Sequence, residues 1–97
     1  MMNLVIEVDR NSSHAFNQRG WRYQQTGKLD LAYQDFLASA RLGDAWGQMM
    51  AGKLLWAGRG VKEDREEALA WLRKAAEQGN PDAKLSLEQA LQQQGKK

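Results

Sequence analysis

An internal repeat constrains the fold of this chain more than any other feature of its sequence. When the chain is compared with itself at a shift of 36 residues, residues of similar character align. The aligned pairs are Ala32 and Ala68, Phe36 and Leu72, Ala40 and Ala76, Gly43 and Gly79, Met49 and Leu85, and Ala51 and Leu87. Repeats of about 20 to 50 residues are typical of arrays in which each unit buries its apolar face against the next. The sequence therefore predicts two copies of one helical unit.

The residues that flank the repeat predict where its helices begin and end. Gly43 and Gly79 stand where a glycine in the left-handed conformation commonly ends a helix. Asn80 and Pro81 then supply an N-cap and a first helical residue. The second copy has the i, i+3, i+4, i+7, i+8 spacing of one helix face, at Ala68, Trp71, Leu72, Ala75 and Ala76. With further helical segments at about 14–26 and 44–57, the chain is predicted to form about five antiparallel helices.

The sequence Gly58-Arg59-Gly60 is open to two interpretations, because closely spaced glycines occur both in phosphate-binding loops and in corners between helices. A phosphate-binding loop would need Gly-Lys-Ser/Thr after the glycines and a strand before them, and the sequence has neither. Asp64 and Glu67 have instead the spacing of a capping box, which starts a helix. Residues 58–63 are therefore predicted to form a loop between two helices.

Composition limits the class of protein. Hydrophobic residues make up 42% of the chain and charged residues 27%, which is typical of a soluble globular protein, and 97 residues predict one domain. The 14 basic and 12 acidic residues are mixed along the chain, whereas a nucleic-acid-binding surface needs clustered cations. No run approaches the roughly 20 apolar residues that cross a membrane. The lack of cysteine favours a reducing compartment, and we expect a cytoplasmic protein.

Residues 52–83 resemble a Sel1-like repeat, a relative of the tetratricopeptide repeat with a longer loop between its two helices. The motif stands in order, with G-x-G-V at 58–61, an aspartate at 64, A-L-x-W at 68–71 and K-A-A-x-x-G at 74–79. The first copy is similar to a plain tetratricopeptide repeat, at Gly20, Tyr23, Ala32 and Phe36. Together the two resemblances cover about residues 15–91.

The resemblance implies an all-α fold, a short right-handed α-α superhelix of Sel1-like and tetratricopeptide-like helices. It also implies a non-catalytic adaptor or scaffold that binds a protein or peptide. From the mixed charges and the lack of a long apolar run, we expect neither a nucleic-acid nor a membrane partner. The first helix of each pair would line a concave groove. Carried over by position, the groove residues are Asn17, Trp21, Gln24, Trp46, Met49, Lys53, Trp56, Ser86 and Gln89.

The four tryptophans are not equivalent in sequence. Trp71 lies in the apolar stripe of its own helix and is predicted to be buried in the core. Trp21, Trp46 and Trp56 have two interpretations. Each is either an exposed contact residue for a partner, since tryptophan supplies a large contact area, or a cover for the core of a protein with few repeats.

The sequence predicts no catalytic, cofactor or metal site. His14 is the single histidine and has no neighbouring pattern that would make it a metal ligand or a general base. The carboxylates at 63, 64, 66 and 67 are accounted for by the start of a helix, where negative charge is favourable. No Ser/His/Asp or Cys/His set can be assembled.

The N-terminal segment NLVIEV, residues 3–8, has the β-branched residues and alternation of a short strand. We therefore expect an N-terminal extension at 1–13, a helical repeat domain at 14–94 and a C-terminal tail at 95–97. Two repeats are fewer than the roughly three that usually make a stable array. This shortage leaves an alternative function, that of a structural or assembly subunit acting through homo-oligomerisation, with a homodimer as the simplest case.

Overall fold

Five α-helices follow one another in the computed structural model, which describes the backbone of residues 2–95 and the side chains of residues 13–95. They are α1 (Met2–Gln25), α2 (Leu29–Arg41), α3 (Ala45–Ala57), α4 (Arg65–Glu77) and α5 (Pro81–Gly95). Each helix packs against its successor, and α3 also contacts α1 and α5. Because residues 2–95 contain no strand, the predicted all-α solenoid is confirmed.

The helix ends lie where the local sequence places them. Gly43 and Gly79 both have a φ of 93°, the left-handed conformation predicted for them. The Asp64 carboxylate accepts a hydrogen bond of 3.0 Å from the backbone N–H of Glu67, so half of the predicted capping box is formed. Asn80 caps α5 in the same way, with its Oδ1 2.9 Å from the backbone nitrogen of Ala83.

The loop between α3 and α4 turns a corner, as predicted. Gly58 ends α3 with a φ of 68°, and the chain then folds back so that the Asp64 N–H donates to the carbonyl of Leu55 at 3.0 Å. Gly60, with a φ of 77°, lies directly against the backbone of Leu29 at the start of α2. The loop therefore joins the second helical pair to the first.

The core consists of two clusters that share neighbours. The N-terminal cluster is Ala32, Phe36, Ala40, Ala51 and Leu54, and the C-terminal cluster is Met49, Leu69, Leu72, Ala75, Ala83 and Ala90. Trp46 and Met50 pack against both. Phe36 and Leu72, which are equivalent in the repeat, are among the largest fully buried side chains of their clusters. Equivalent positions of the two repeats therefore have the same role in the packing of the core.

Two glycines inside α3 allow its neighbours to come close. A Cβ atom on Gly52 would lie 3.0 Å from Cγ of Leu72 and 3.1 Å from the carbonyl oxygen of Ala68, both in α4. A Cβ on Gly47 would overlap the side chain of Ser39 in α2. The helix-propensity cost of about 1 kcal/mol per glycine is therefore offset by close packing on both sides of α3.

Trp71 is less buried than its place in the apolar stripe predicted. It packs against the N-terminal cluster but is only half-buried. Its indole N–H donates to Oε2 of Glu67 at 3.3 Å, and the Lys74 ammonium lies 5.1 Å from the ring centroid. The prediction that Trp71 belongs to the core is met only in part, because one side of the ring packs against the N-terminal cluster and the rest stays open to solvent.

Trp71→Ala is therefore expected to lower the free energy of unfolding by about 1 to 3 kcal/mol, less than the truncation of a fully buried aromatic residue. Urea unfolding followed by circular dichroism measures this change. Trp71→Phe is the matched control, since it keeps the packed ring and removes the N–H that bonds to Glu67. A loss as large as that of Phe36→Ala would show that Trp71 belongs to the centre of the core.

The strand predicted for residues 3–8 is wrong, because α1 begins at Met2 rather than near His14. The β preference of valine and isoleucine depends on a neighbouring strand, and residues 2–95 offer none. No proline or glycine interrupts the chain between Met2 and Phe16, so the helix can extend backwards from its packed half. The domain boundaries at 13/14 and 94/95 stay predictions.

Candidate protein-binding surface

Helix α1 has two distinct faces along its C-terminal half. One face packs on α2 through Gly20 and Tyr23, and a Cβ on Gly20 would lie 3.0 Å from Cε1 of Phe36. The other face carries side chains at i, i+3, i+4, i+7 and i+8 that line a groove, at His14, Asn17, Gln18, Trp21 and Arg22. The close packing at Gly20 therefore holds the groove-lining face in a fixed orientation.

Trp46 closes this groove from the first turn of α3. The groove, called the α1/α3 groove from here on, has a volume of about 460 Å³. Trp46 is held by an edge-to-face contact with Phe36, with ring centroids 5.3 Å apart and ring planes at 77°. Trp21 is 50% exposed. The Trp46 indole is therefore held by Phe36, whereas half of the Trp21 side chain is exposed to solvent.

A polar contact between helices forms part of the groove wall. The Asn17 amide donates from Nδ2 to Oδ2 of Asp44 at 2.9 Å, and the same oxygen accepts the N–H of Gly47 at 2.8 Å. Because Nδ2 must face the carboxylate, the orientation of the amide is fixed. Oδ1 of Asn17 is then buried without a hydrogen-bond partner among the described residues.

The two arginines of this part of α1 differ in their surroundings. Arg19 donates from Nε and Nη2 to the buried carboxylate of Asp35, at 2.8 and 2.9 Å. These hydrogen bonds, together with the charge of Asp35, raise the pKa of Arg19 above its usual value. Arg22 is exposed, and no carboxylate in the described part of the chain lies within ion-pair distance of it. Among the described residues, Arg22 is therefore a cation without an ion-pair partner that lines the groove.

A second groove, the α3/α5 groove, lies further along the solenoid and has a volume of about 160 Å³. Trp56 lines it, and its indole N–H donates to Oε1 of Gln93 at 3.0 Å. The guanidinium of Arg65 lies over the Trp56 ring, 4.3 Å from the centroid, and also pairs with Glu63 at 2.7 Å. Trp56 thus connects α3, α4 and α5, and only part of its surface is open.

The structure divides the nine predicted groove residues between these places. Asn17, Trp21 and Trp46 line the α1/α3 groove. The α3/α5 groove contains four others, at Lys53, Trp56, Ser86 and Gln89. Gln24 is half-buried and lines neither groove.

Met49 was expected in the groove and is in the core. It is only 4% exposed and belongs to the C-terminal cluster. The reason is that α3 is the central helix and contacts all four others, so its buried face is wider than that of a helix at the end of the array. A partner cannot reach Met49 without opening the core, and the expectation is wrong.

Sequence reasoning missed three residues of the α1/α3 groove, namely His14, Gln18 and Arg22. The signal was available, because these positions share the 3.6-residue period of Asn17 and Trp21. Gln93 and Arg65, which hold Trp56, had no such signal. Their contacts depend on how α4 and α5 pack against α3.

A third hollow, of about 460 Å³, lies beside the corner loop and is lined by Tyr33, Val61 and the carboxylates of residues 63, 64 and 67. Burial of the Tyr33 phenol raises its pKa, and the nearby negative charge of Glu67 raises it further.

The described residues contain no group of three or more side chains arranged to hold a metal ion. None of their helices is long and apolar enough to cross a membrane.

Comparison with known proteins identifies the repeat. Residues 47–80, which comprise most of α3, the corner loop and α4, match the family model of the Sel1 repeat. These residues are therefore similar to a Sel1 repeat. The predicted resemblance is thereby confirmed, and the first copy lies outside the matched residues.

A solved structure agrees with this assignment. The Sel1 repeat protein from Oxalobacter formigenes is 32% identical to this chain, with a TM-score of 0.74 over 79% of it. The chain spans only 23% of the length of that protein. No curated protein matches the sequence. Sel1 repeats generally mediate protein–protein interaction. The comparisons identify no specific partner.

Proposed function

We propose that this Sel1-repeat chain is a non-catalytic interaction module, an adaptor or scaffold, that binds an extended segment of a partner protein in the α1/α3 groove. The observation that carries the proposal is the open groove between Trp21 and Trp46, with half of the Trp21 surface exposed. A tryptophan that is half exposed on a rigid helix offers a large apolar contact at a small entropic cost. The lack of cysteine suits a reducing compartment, and we propose the cytoplasm.

The groove is supported before any partner arrives. Trp46 rests against Phe36, and the α1 backbone is fixed by the tight packing of Gly20. A preformed site binds more tightly than one that must first be ordered, because fewer side chains lose freedom on binding.

The α3/α5 groove extends the same surface, since both grooves are bordered by α3. Trp46 and Trp56 are ten residues apart in α3, which corresponds to about 15 Å along the helix axis. An extended peptide covers about 3.4 Å per residue, so four to five residues would span both grooves. In this proposal Trp56, Lys53, Ser86 and Gln89 contact the far end of the bound segment.

Trp21→Ala is expected to weaken peptide binding about 30-fold or more, equivalent to about 2 kcal/mol, while the chain stays folded. Peptides for this test come from a displayed library of random nine-residue sequences selected on the immobilised chain. Dissociation constants are then measured by fluorescence anisotropy. Leu31→Ala removes an exposed apolar residue of α2 that lines neither groove, and it should leave binding unchanged.

The alternative of a structural subunit gives a different result in the same experiments. Sedimentation equilibrium of the wild-type chain would then show a stable dimer, Trp21→Ala would dissociate it, and no peptide would be selected. Selection of peptides that bind Trp21→Ala as tightly as wild type would also contradict the proposal, because their site would lie elsewhere.

A further inference from the structure

We propose that the α1/α3 groove selects acidic peptide segments. In such a segment an aspartate or glutamate lies next to a large apolar residue, on either side of it in the sequence. This inference rests on the proposed function and names the chemistry of the partner. The apolar anchor is placed against Trp21 and Trp46. The carboxylate is placed on Arg22, the residue next to Trp21 at the same end of the groove.

The charges around the groove are the reason for this choice. Arg19, three residues before Arg22, has its guanidinium occupied by both oxygens of Asp35. Arg22 faces the groove without such a partner in the described residues. Its planar guanidinium can hold a carboxylate through two parallel hydrogen bonds, a geometry that a bound peptide can supply.

Asp44, a carboxylate that borders the groove wall through Asn17, does not reverse this preference. Asp44 is not among the lining residues, and its Oδ2 already accepts hydrogen bonds from Asn17 and from the first turn of α3. The partial positive charge of a helix N-terminus further offsets a carboxylate placed at the N-cap. His14, at the other end of the groove, adds no negative charge. A basic peptide would therefore meet Arg22 without a compensating anion from the groove-lining residues that the structure describes.

The test compares peptides that differ only in charge. Nine-residue peptides with a fixed central phenylalanine and random flanks are displayed and selected on the wild-type chain and on Arg22→Glu. The selected peptides are synthesised with amidated C-termini, so that only side chains carry carboxylates. Each is also made with its acidic residues replaced by asparagine and glutamine, and affinities are measured for every pair.

Wild type is expected to bind the acidic member of each pair about two- to fivefold more tightly, as an exposed ion pair allows, and 0.5 M salt should remove most of this difference. Arg22→Glu should enrich basic flanks instead. Arg59→Glu makes the same change of charge at an exposed position in the corner loop, and its selection should match that of wild type. Circular dichroism confirms that each variant is folded.

Three other outcomes overturn the inference, and they separate its failure from that of the proposed function. Peptides that lose affinity with Trp21→Ala but show no charge preference would leave the groove as the binding site and refute its acidic selectivity. Failure to select any peptide on the folded wild-type chain would refute the proposed function itself. The same conclusion would follow if the selected peptides bound Trp21→Ala as tightly as wild type.

Discussion

Phe36→Ala is expected to lower the free energy of unfolding by about 3 to 5 kcal/mol, the largest loss from a single truncation that we anticipate in this chain. Phe36 is fully buried. Its ring meets the backbone of Gly20 in α1 and the edge of Trp46 in α3, so it connects three helices. The cavity left by the alanine would be hard to fill, because its neighbours in the N-terminal cluster include the short side chains of Ala32 and Ala40.

Urea unfolding monitored by circular dichroism measures the loss as a shift of the transition midpoint at constant slope. Leu85→Ala is the matched control, because Leu85 is 54% exposed and its truncation should change stability by about 0.5 kcal/mol or less. If Phe36→Ala does not fold, Phe36→Leu gives a milder version of the same test. Equal effects at residues 36 and 85 would contradict the assignment of Phe36 to the core.

Substitution of Phe36 should also weaken peptide binding in the α1/α3 groove. Trp46 lines the groove, and the aromatic ring that supports it among the described residues is that of Phe36. A folded Phe36→Leu variant is therefore expected to bind peptides less tightly even though residue 36 is buried. The shape of the groove therefore depends on the packing of the core, because the contact between Phe36 and Trp46 stabilises both.

The sequence predicted best those features that depend on neighbouring residues. Glycines 43 and 79 end helices because a left-handed residue is easy for glycine, and Asp64 and Asn80 cap helices with their own side chains. These interactions span three or four residues. They can be recognised without knowledge of how the helices pack.

Features that depend on packing between helices were predicted less well. The number of helices around α3 decides that Met49 is buried. Trp71 lies at the edge of the N-terminal cluster and keeps part of its ring open to solvent. Asp35 occupies the repeat position of Trp71, yet it is buried because Arg19 from α1 reaches it. A single sequence does not show which side chain of another helix will lie opposite a given position.

The candidate site shows the same limit. The period of α1 correctly places Asn17 and Trp21 on one face, and the position of α3 places Trp46 beside them. The contacts of Trp56 with Arg65 and Gln93 follow from the crossing of α4 and α5 over α3. They divide the predicted surface into two grooves, which no spacing in the sequence indicates.

Gly60→Ala is expected to lower the free energy of unfolding by about 2 to 5 kcal/mol, as the sum of two costs. The first is the left-handed backbone, with a φ of 77°, which disfavours any L-residue with a side chain. The second is steric, since the new Cβ would overlap the carbonyl group of Leu29 and lie 2.8 Å from the backbone nitrogen of Asp30. Backbone atoms at the start of a helix cannot move aside as a flexible side chain can.

Gly27→Ala separates the two costs. Gly27 has a similar φ of 81°, but nothing lies within 4 Å of the position that its Cβ would take. This control should therefore lose only the conformational part, about 1 to 2 kcal/mol. If both variants lost the same amount, the contact of the corner loop with α2 would contribute nothing to stability. A larger loss for Gly60→Ala would instead show that the second glycine of the pair allows the corner loop to lie against the start of α2.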